Sequence, residues 1–342
     1  MDGPWILHTA AVVVTVGVDG GGTKVLAGLV DERGTVLQRV LVPTDPDNGT
    51  GSVLRAVEEL LGGTGGHGAP AAPVAIGVGV AGYVHQPEGR VVFSANVAYA
   101  PPDVKVAVSA RFGLPVVVEN DANAACWGER TFGAGRGCDE MVMVTVGTGV
   151  GGGIVTGGRL LRGLHGYGGE IGHMTIVDGG PLCACGQHGC VEALASGSAI
   201  ARMAREAVGR AEDSIILELA GDNPSRITGA LVTEAARADD ELAIEVLARA
   251  GRALGTCFAN LTNLLDPEII VVGGGAAEAG WFLTEPARLE LVRRVADRRE
   301  PPELAMARLG SDAGMVGAAS LALEALEAGT IGSRTDPGLA RA

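Results

Sequence analysis

Aromatic residues are scarce: Phe, Trp and Tyr together make up 3% of the 342 residues, so any core must be packed from Val, Leu, Ile and Ala. Long apolar runs are missing too, and no stretch of about 18 apolar residues exists that could span a bilayer. Positive charge is in short supply, with 26 Lys and Arg against 40 Asp and Glu and a net charge of −14. No basic patch offsets that balance, which argues against nucleic acid or an anionic membrane as a partner. Cysteine is sparse as well. Six in the chain, with no secretory leader, point to the reducing cytoplasm, where disulfides rarely persist. Trp5–Val18 is apolar but is broken by His8, Thr9 and Thr15 and lacks a basic flank, so a short tail running into the first strand is expected rather than a signal peptide.

What the chain has in abundance is glycine, 55 residues, and its clusters follow strand-like runs. Val12–Val18 and Val25–Val30 read as a hairpin whose tip is Asp19-Gly20-Gly21-Gly22-Thr23-Lys24. Backbone N–H groups of such a turn can approach phosphate oxygens, Thr23 and Lys24 add donors, and Asp19 can hold a hydrated Mg²⁺. A third strand, Thr35–Val42, a helix, Ser52–Leu61, and a parallel-type strand, Val74–Val80, give a β-β-β-α-β order. Gly62–Pro73 reads as a surface loop. Asn96 fits a sugar ligand and a turn residue equally well. Val104–Phe112 reads as a helix, and Val116–Val118 as a strand ending in Glu119-Asn120-Asp121, the place where open α/β sheets present ligand-binding groups. An N-cap for the helix Ala122–Phe132 competes for Asp121. Met141–Val146 then repeats the opening pattern, leading into the turn Gly147-Thr148-Gly149-Val150-Gly151-Gly152-Gly153 and a strand at Ile154–Thr156. The echo suggests two related halves, each with a phosphate loop. Ala199–Val208 and Glu241–Leu265 read as amphipathic helices. Ile269–Val272 ends in a third glycine turn, Gly273-Gly274-Gly275, and Gly314–Glu327 is the last helix.

Between the second and third turns lies Gly166–Glu192, which gathers His173, three Cys and the carboxylates Glu170 and Glu192 within about one loop's length. Cys183, Cys185 and Cys190 are spaced C-x-C-x4-C, and Gly186 and Gly189 let the backbone fold the sulfurs toward one point. His173 is the candidate fourth ligand of a closed tetrahedral set that suits structural Zn²⁺. Reduced thiols without metal, or a disulfide, are the competing readings. Glu170 and Glu192 sit beside this knot and suit the gripping of polyol hydroxyls.

Taken in order, DGGGTK (Asp19–Lys24), ENDANAA (Glu119–Ala125), GTGVGGG (Gly147–Gly153), GGEIGH with CACGQHGCVE (Gly168–His173 and Cys183–Glu192) and VVGGG (Val271–Gly275) resemble the ROK family of bacterial sugar kinases and repressors, above all its ATP-dependent glucokinases. The resemblance covers about residues 12 to 327. It implies an α/β fold of the actin-like (ribonuclease H-like) two-domain sugar kinase type, with ATP and sugar meeting in the interdomain cleft. The expected division is a small domain over 12–119 plus about 314–327, a large domain with the knot over 120–313, and tails at 1–11 and 328–342. The implied reaction is transfer of the ATP γ-phosphoryl group to the 6-hydroxyl of glucose, with a kinase for mannose, fructose, N-acetylglucosamine or N-acetylmannosamine, or more distantly a non-catalytic sugar sensor, as the alternatives. Asp121 is implied as the base, for which an ordinary carboxylate pKa near 4 is adequate. Asn96, Asn120, Asp121, Glu170, His173 and Glu192 are the expected sugar ligands. ATP and Mg²⁺ are expected at Asp19 to Lys24, at Gly147, Thr148, Gly149 and Gly151, and at Gly273, Gly274 and Gly275. Zinc is implied at His173, Cys183, Cys185 and Cys190, and a homodimer or homotetramer is the implied assembly. The chain departs from the family's glucokinases at Val84-His85, often acidic there, and at Asn96 to Tyr99, where Tyr99 stands near the position of a family Trp. About ten residues before the first strand leave no room for a repressor's helix-turn-helix.

Overall fold

The computed structural model describes residues 12–62, 71–210, 213–295 and 299–332. Most of the expected loop at 62–73 and of both expected tails lies outside them. In chain order the first elements are β1 (Val14–Gly20), β2 (Lys24–Asp31), β3 (Val36–Pro43), α1 (Gly49–Gly62), β4 (Ile76–Val80), β5 (Tyr83–His85) and β6 (Arg90–Phe93). Then come α2 (Val104–Phe112), β7 (Val116–Asn120), α3 (Asp121–Phe132), β8 (Met141–Val146), β9 (Val150–Thr156), β10 (Arg159–Leu160), α4 (Val191–Ala195) and α5 (Gly197–Ala207). The chain closes with α6 (Ile216–Leu219), α7 (Gly229–Arg237), α8 (Glu241–Leu265), β11 (Ile269–Gly273), α9 (Trp281–Val295), β12 (Glu303–Met306) and α10 (Ala313–Glu327).

The chain forms two compact units, one running to Gly128 and resuming at Gly314, the other covering Glu129–Ala313. The boundary corrects the expected one: residues 120 to 128 belong with the first unit. The reason is packing. α3 lies so close to α10 that a Cβ on Gly317 would collide with the Ala124 carbonyl, and bare backbone is what permits such an approach. α10 also presses on the sheet, since a Cβ on Gly77 would strike the Ala318 carbonyl.

Unit 1 carries a sheet of order β3-β2-β1-β4-β7, in which β1 pairs antiparallel with β2 and parallel with β4, and β4 runs parallel to β7. Every residue of β4 is buried, as a central parallel strand covered on both faces requires. Unit 2 repeats the plan as β10-β9-β8-β11-β12, with β8 antiparallel to β9 and β11 parallel to both β8 and β12. The echo in the sequence is therefore an echo of topology.

One expectation fails inside it. Gly151, Gly152 and Gly153 are not turn but strand, paired with Thr145, Val144 and Met143. A ladder needs only backbone, and Ile171 occupies the space a Cβ on Gly152 would take. The turn proper is Gly147–Gly149, closed by the Gly147 N–H to Gly149 O bond of 2.9 Å.

Both cores are mostly aliphatic, Leu29, Leu60, Ile76 and Met141 being among the fully buried side chains, with Phe258 the aromatic at the head of them. α8 starts where Asp240 Oδ1 accepts the Ala243 N–H at 2.8 Å and stops at Asp266, a left-handed residue before Pro267. Glu129, fully buried, opens unit 2. Its Oε1 accepts the Leu309 N–H at 2.7 Å, and its Oε2 accepts those of Ala134 and Arg308 at 2.8 and 3.0 Å. Among the described residues no helix is long and apolar enough to cross a membrane.

Candidate active site

In unit 1 the glycine turn at the β1–β2 tip and the end of β7 bring the expected polar groups together. The Gly21 N–H reaches Lys24 O at 3.1 Å, while Thr44 pins the turn by donating its hydroxyl to Gly21 O at 2.8 Å. Gly22, Thr23 and Lys24 are exposed, and Asn96 lies against Gly22, 3.7 Å from where a Cβ would stand. Asp19 closes β1. Burial raises its carboxyl to about 7, and repulsion from Asp121 adds to that while Lys24 opposes it. Gly314 is bare where Asp19 passes, a Cβ there lying 2.8 Å from Asp19 Cγ.

Asp121 is the first residue of α3, directly after β7. Its Oδ1 accepts the Ala122 N–H at 2.9 Å and the Asn120 amide at 3.1 Å. Asn120 is itself braced, donating to Gly82 O at 3.2 Å and accepting the Asn123 N–H at 3.0 Å. Behind them the buried Glu119 Oε1 holds the Asn120 N–H and the Asn123 amide at 3.0 and 3.1 Å. Burial pushes the Asp121 carboxyl up to about 6 against these hydrogen bonds, so the ordinary value near 4 is not what the site provides. Tyr99 faces both carboxylates. Its hydroxyl is 3.4 Å from Gly20 O, and burial, with the charge of Asp121 next, holds its pKa well above the usual phenol value. A cavity of 710 Å³ adjoins this wall, lined by His85, Arg90, Phe93, Ser94, Val97 and Tyr99 among others.

In unit 2 the knot forms as the spacing predicts. Gly186 and Gly189 take φ of 88° and 72°, conformations that suit glycine. The Cys183 N–H bonds Gln187 O at 2.8 Å, and Cys190 bridges to Thr175. The ligand atoms of His173, Cys183, Cys185 and Cys190 all lie within 4.8 Å of one another. Cys185 and Cys190 sulfurs are 3.8 Å apart, and Cys183 Sγ is 3.7 Å from His173 Nδ1. A tetrahedron with metal–sulfur bonds of about 2.3 Å has edges of about 3.8 Å, so the donor set fits a zinc-sized ion. His173 ends a single 3₁₀ turn, Ile171–His173, capped by Glu170. Residues three apart eclipse in that geometry, and His173 Nε2 is 4.0 Å from Glu170 Oε2. The ring therefore turns Nδ1 to the sulfurs and Nε2 toward Glu170. Glu192, in the first turn of α4, accepts the Val150 N–H on Oε2 at 3.0 Å and has Oε1 3.5 Å from Cys183 Sγ.

A cavity of 930 Å³ in the same unit runs from Gly147 and Thr148 past Ser198, Arg205, Thr228 and Glu234 to Gly275. Two of the glycine turns thus line one space. Gly274, with φ of 84°, could carry no Cβ without striking the β8 backbone at Val146. Sequence reasoning missed the polar groups of this wall: Ser198 and Arg205 on α5, Glu234 and Arg237 on α7, and Thr228 at the N-cap of α7, none within a motif of its own.

The sequence profile of the ROK family matches residues 15–325. The chain belongs to the ROK family. A glucokinase of Streptomyces coelicolor is 40% identical over 317 residues, 91% of this chain and 98% of the relative. A crystal structure of a ROK family glucokinase from Streptomyces griseus, in complex with glucose and AMPPNP, is 40% identical, covers 91% of this chain and 99% of that one, and superposes with a TM-score of 0.81. The bifunctional enzyme NanE/NanK of Brucella suis is 39% identical over 310 residues, 89% of this chain and 52% of the relative. The fold is that of the actin-like sugar kinases, and this ROK chain is a hexokinase-type enzyme.

Proposed function

We propose that the protein transfers the γ-phosphoryl group of ATP to the 6-hydroxyl of glucose. The observation that carries the reading is Asp121: a carboxylate at the end of a parallel strand, braced by Asn120 and Glu119, desolvated, and placed with Asp19 beside a glycine turn. Phosphoryl transfer has a loose transition state, so catalysis is mostly alignment and charge stabilisation. Asp121 accepts the hydroxyl proton as the bond to phosphorus forms. Its pKa of about 6 leaves it ionised at neutral pH and a better base than an ordinary carboxylate. Asn96, Asn120, Glu170, His173 through Nε2, and Glu192 are the proposed partners of the sugar hydroxyls.

The turns at Gly20 to Lys24 and Gly147 to Gly149 are the proposed phosphate sites, through backbone N–H groups other than those of Gly21 and Gly147, which close the turns, and the 930 Å³ cavity is large enough for adenosine. Asp19 suits a hydrated Mg²⁺, because its desolvated carboxylate, beside Asp121, keeps a raised pKa that Lys24 only partly offsets. When bound, that ion neutralises phosphate charge. Zinc at His173, Cys183, Cys185 and Cys190 would fix the loop that presents Glu170 and His173, and four protein ligands leave no position for a reacting water. Free thiols at all six cysteines agree with a cytoplasmic setting, and a homodimer or homotetramer is the proposed assembly.

A coupled ADP-release assay with Mg-ATP tests the reading across glucose, mannose, fructose, N-acetylglucosamine and N-acetylmannosamine. Highest turnover on glucose, absent in Asp121→Asn, is the expected result. Preference for another sugar moves the substrate, and no turnover on any of them overturns the kinase reading.

A further inference from the structure

The segment that follows the knot grips the second glycine turn at three points. Gly197 N–H donates to Gly147 O at 2.8 Å, Ser198 Oγ donates to Thr148 O at 2.8 Å, and Glu192 Oε2 accepts the Val150 N–H at 3.0 Å. The third contact differs from the others because Glu192 is tied to the knot. It stands two residues after Cys190, which caps the N-terminus of α4, and the Val191 N–H between them is held by Met174 O at 3.0 Å. Its other oxygen lies 3.5 Å from Cys183 Sγ. The turn is shaped to receive this carboxylate: a Cβ on Gly149 would collide with Glu192 Oε2. One side chain thus spans from the metal-ligating set to the turn.

We propose that Glu192 is a positioning residue for the nucleotide, holding the Gly147–Val150 turn in its phosphate-binding shape only while the knot is closed on its metal. The inference rests on the reading of that turn as a phosphate site. Fixing Cys190 and Cys183 on one ion aims the first turn of α4, and with it the carboxylate. Opening the knot frees α4, and the Val150 N–H loses a charged acceptor.

The test uses the full-length protein, metal-loaded or stripped by a chelator, with calorimetric binding of Mg-AMPPNP and amide exchange at Val150. Glu192→Ala is expected to weaken AMPPNP roughly ten- to hundred-fold, the range for losing a hydrogen bond to a charged group, and to speed Val150 exchange. Glu192→Gln keeps an acceptor oxygen but loses the charge, and should fall between wild type and Glu192→Ala on both readouts. Stripping the metal from wild type should reproduce the Ala effect on both readouts. If Ala does not fold, Glu192→Asp, which withdraws the carboxylate by one methylene, takes its place with the same direction.

Weaker glucose binding with AMPPNP affinity and Val150 exchange unchanged would overturn the proposal and leave Glu192 a sugar ligand only. Metal removal without effect on the turn would overturn it equally. Gly149→Ala separates the premise from the inference. Should it and Glu192→Ala both speed Val150 exchange while AMPPNP binds normally, the turn is not a phosphate site, and the nucleotide role falls with the premise.

Discussion

At Asp19 and Asp121 the proposed function is set against stability. Both carboxyls bind a proton more readily in the folded chain than unfolded, with values of about 7 and about 6 against 3.8. Between about pH 4 and 7 folding therefore takes up protons, and the contribution of these groups to stability declines as pH rises. Above that window the full penalty remains, on the order of 1–3 kcal/mol after allowance for partial exposure. Asp19→Asn should raise the calorimetric Tm by several degrees at about pH 8 and by almost nothing near pH 4. Asp121→Asn should cost about two to four orders of magnitude in turnover, the range for a general base, while glucose still binds. For wild type, kcat/KM should start to fall below about pH 7 as Asp19 protonates and fall more steeply below about pH 6 as Asp121 follows. A flat acid limb in stopped assays would remove Asp121 as the base.

Elements were legible where a single period or a breaker dominated. α2, α8 and β8 match their sequence-expected limits residue for residue, because a Gly, an Asp-Pro or a β-branched run marks each end. α9 was not legible, since Pro286 interrupts its first turns and Arg–Glu pairs such as Arg288–Glu285 and Arg293–Glu290 cover its surface. Gly151 to Gly153 misled for the opposite reason: glycine signals a turn, yet here all three lie in the β8–β9 ladder and Gly152 packs under Ile171. The knot and the Asp121 cluster could be read because their chemistry lies in contiguous motifs. The cavity wall on α5 and α7 could not, because Ser198, Arg205 and Glu234 meet only through tertiary packing. Two predictions belong to elements. Gly77→Ala should destabilise by about 1–3 kcal/mol in urea titrations, since α10 has no room to retreat from the new methyl group. Cys185→Ser should lose the proposed zinc, measured by metal analysis, and lower the Tm.

For the whole molecule, the sheet order of unit 1 recurs in unit 2, and the chain leaves the first pattern at Gly128 and returns to it at Gly314. Unit 1 is completed only by α10, whereas unit 2 is continuous. Glu129 gathers the amides of Arg308 and Leu309 around its own buried carboxylate, so the place where the chain enters unit 2 and the place where it prepares to leave are fastened by one side chain. Topologically, one five-stranded plan is spliced into another like a clause set in brackets, with Glu129 as the bracket. A piece with neighbouring ends can be excised: residues 129–313, expressed alone with zinc, should fold with a sharp melting transition, and residues 12–128 without α10 should not. Rejoining the host across the gap left by the excision then asks for only a short linker, which makes the splice point the natural place to cut, permute or insert in this chain.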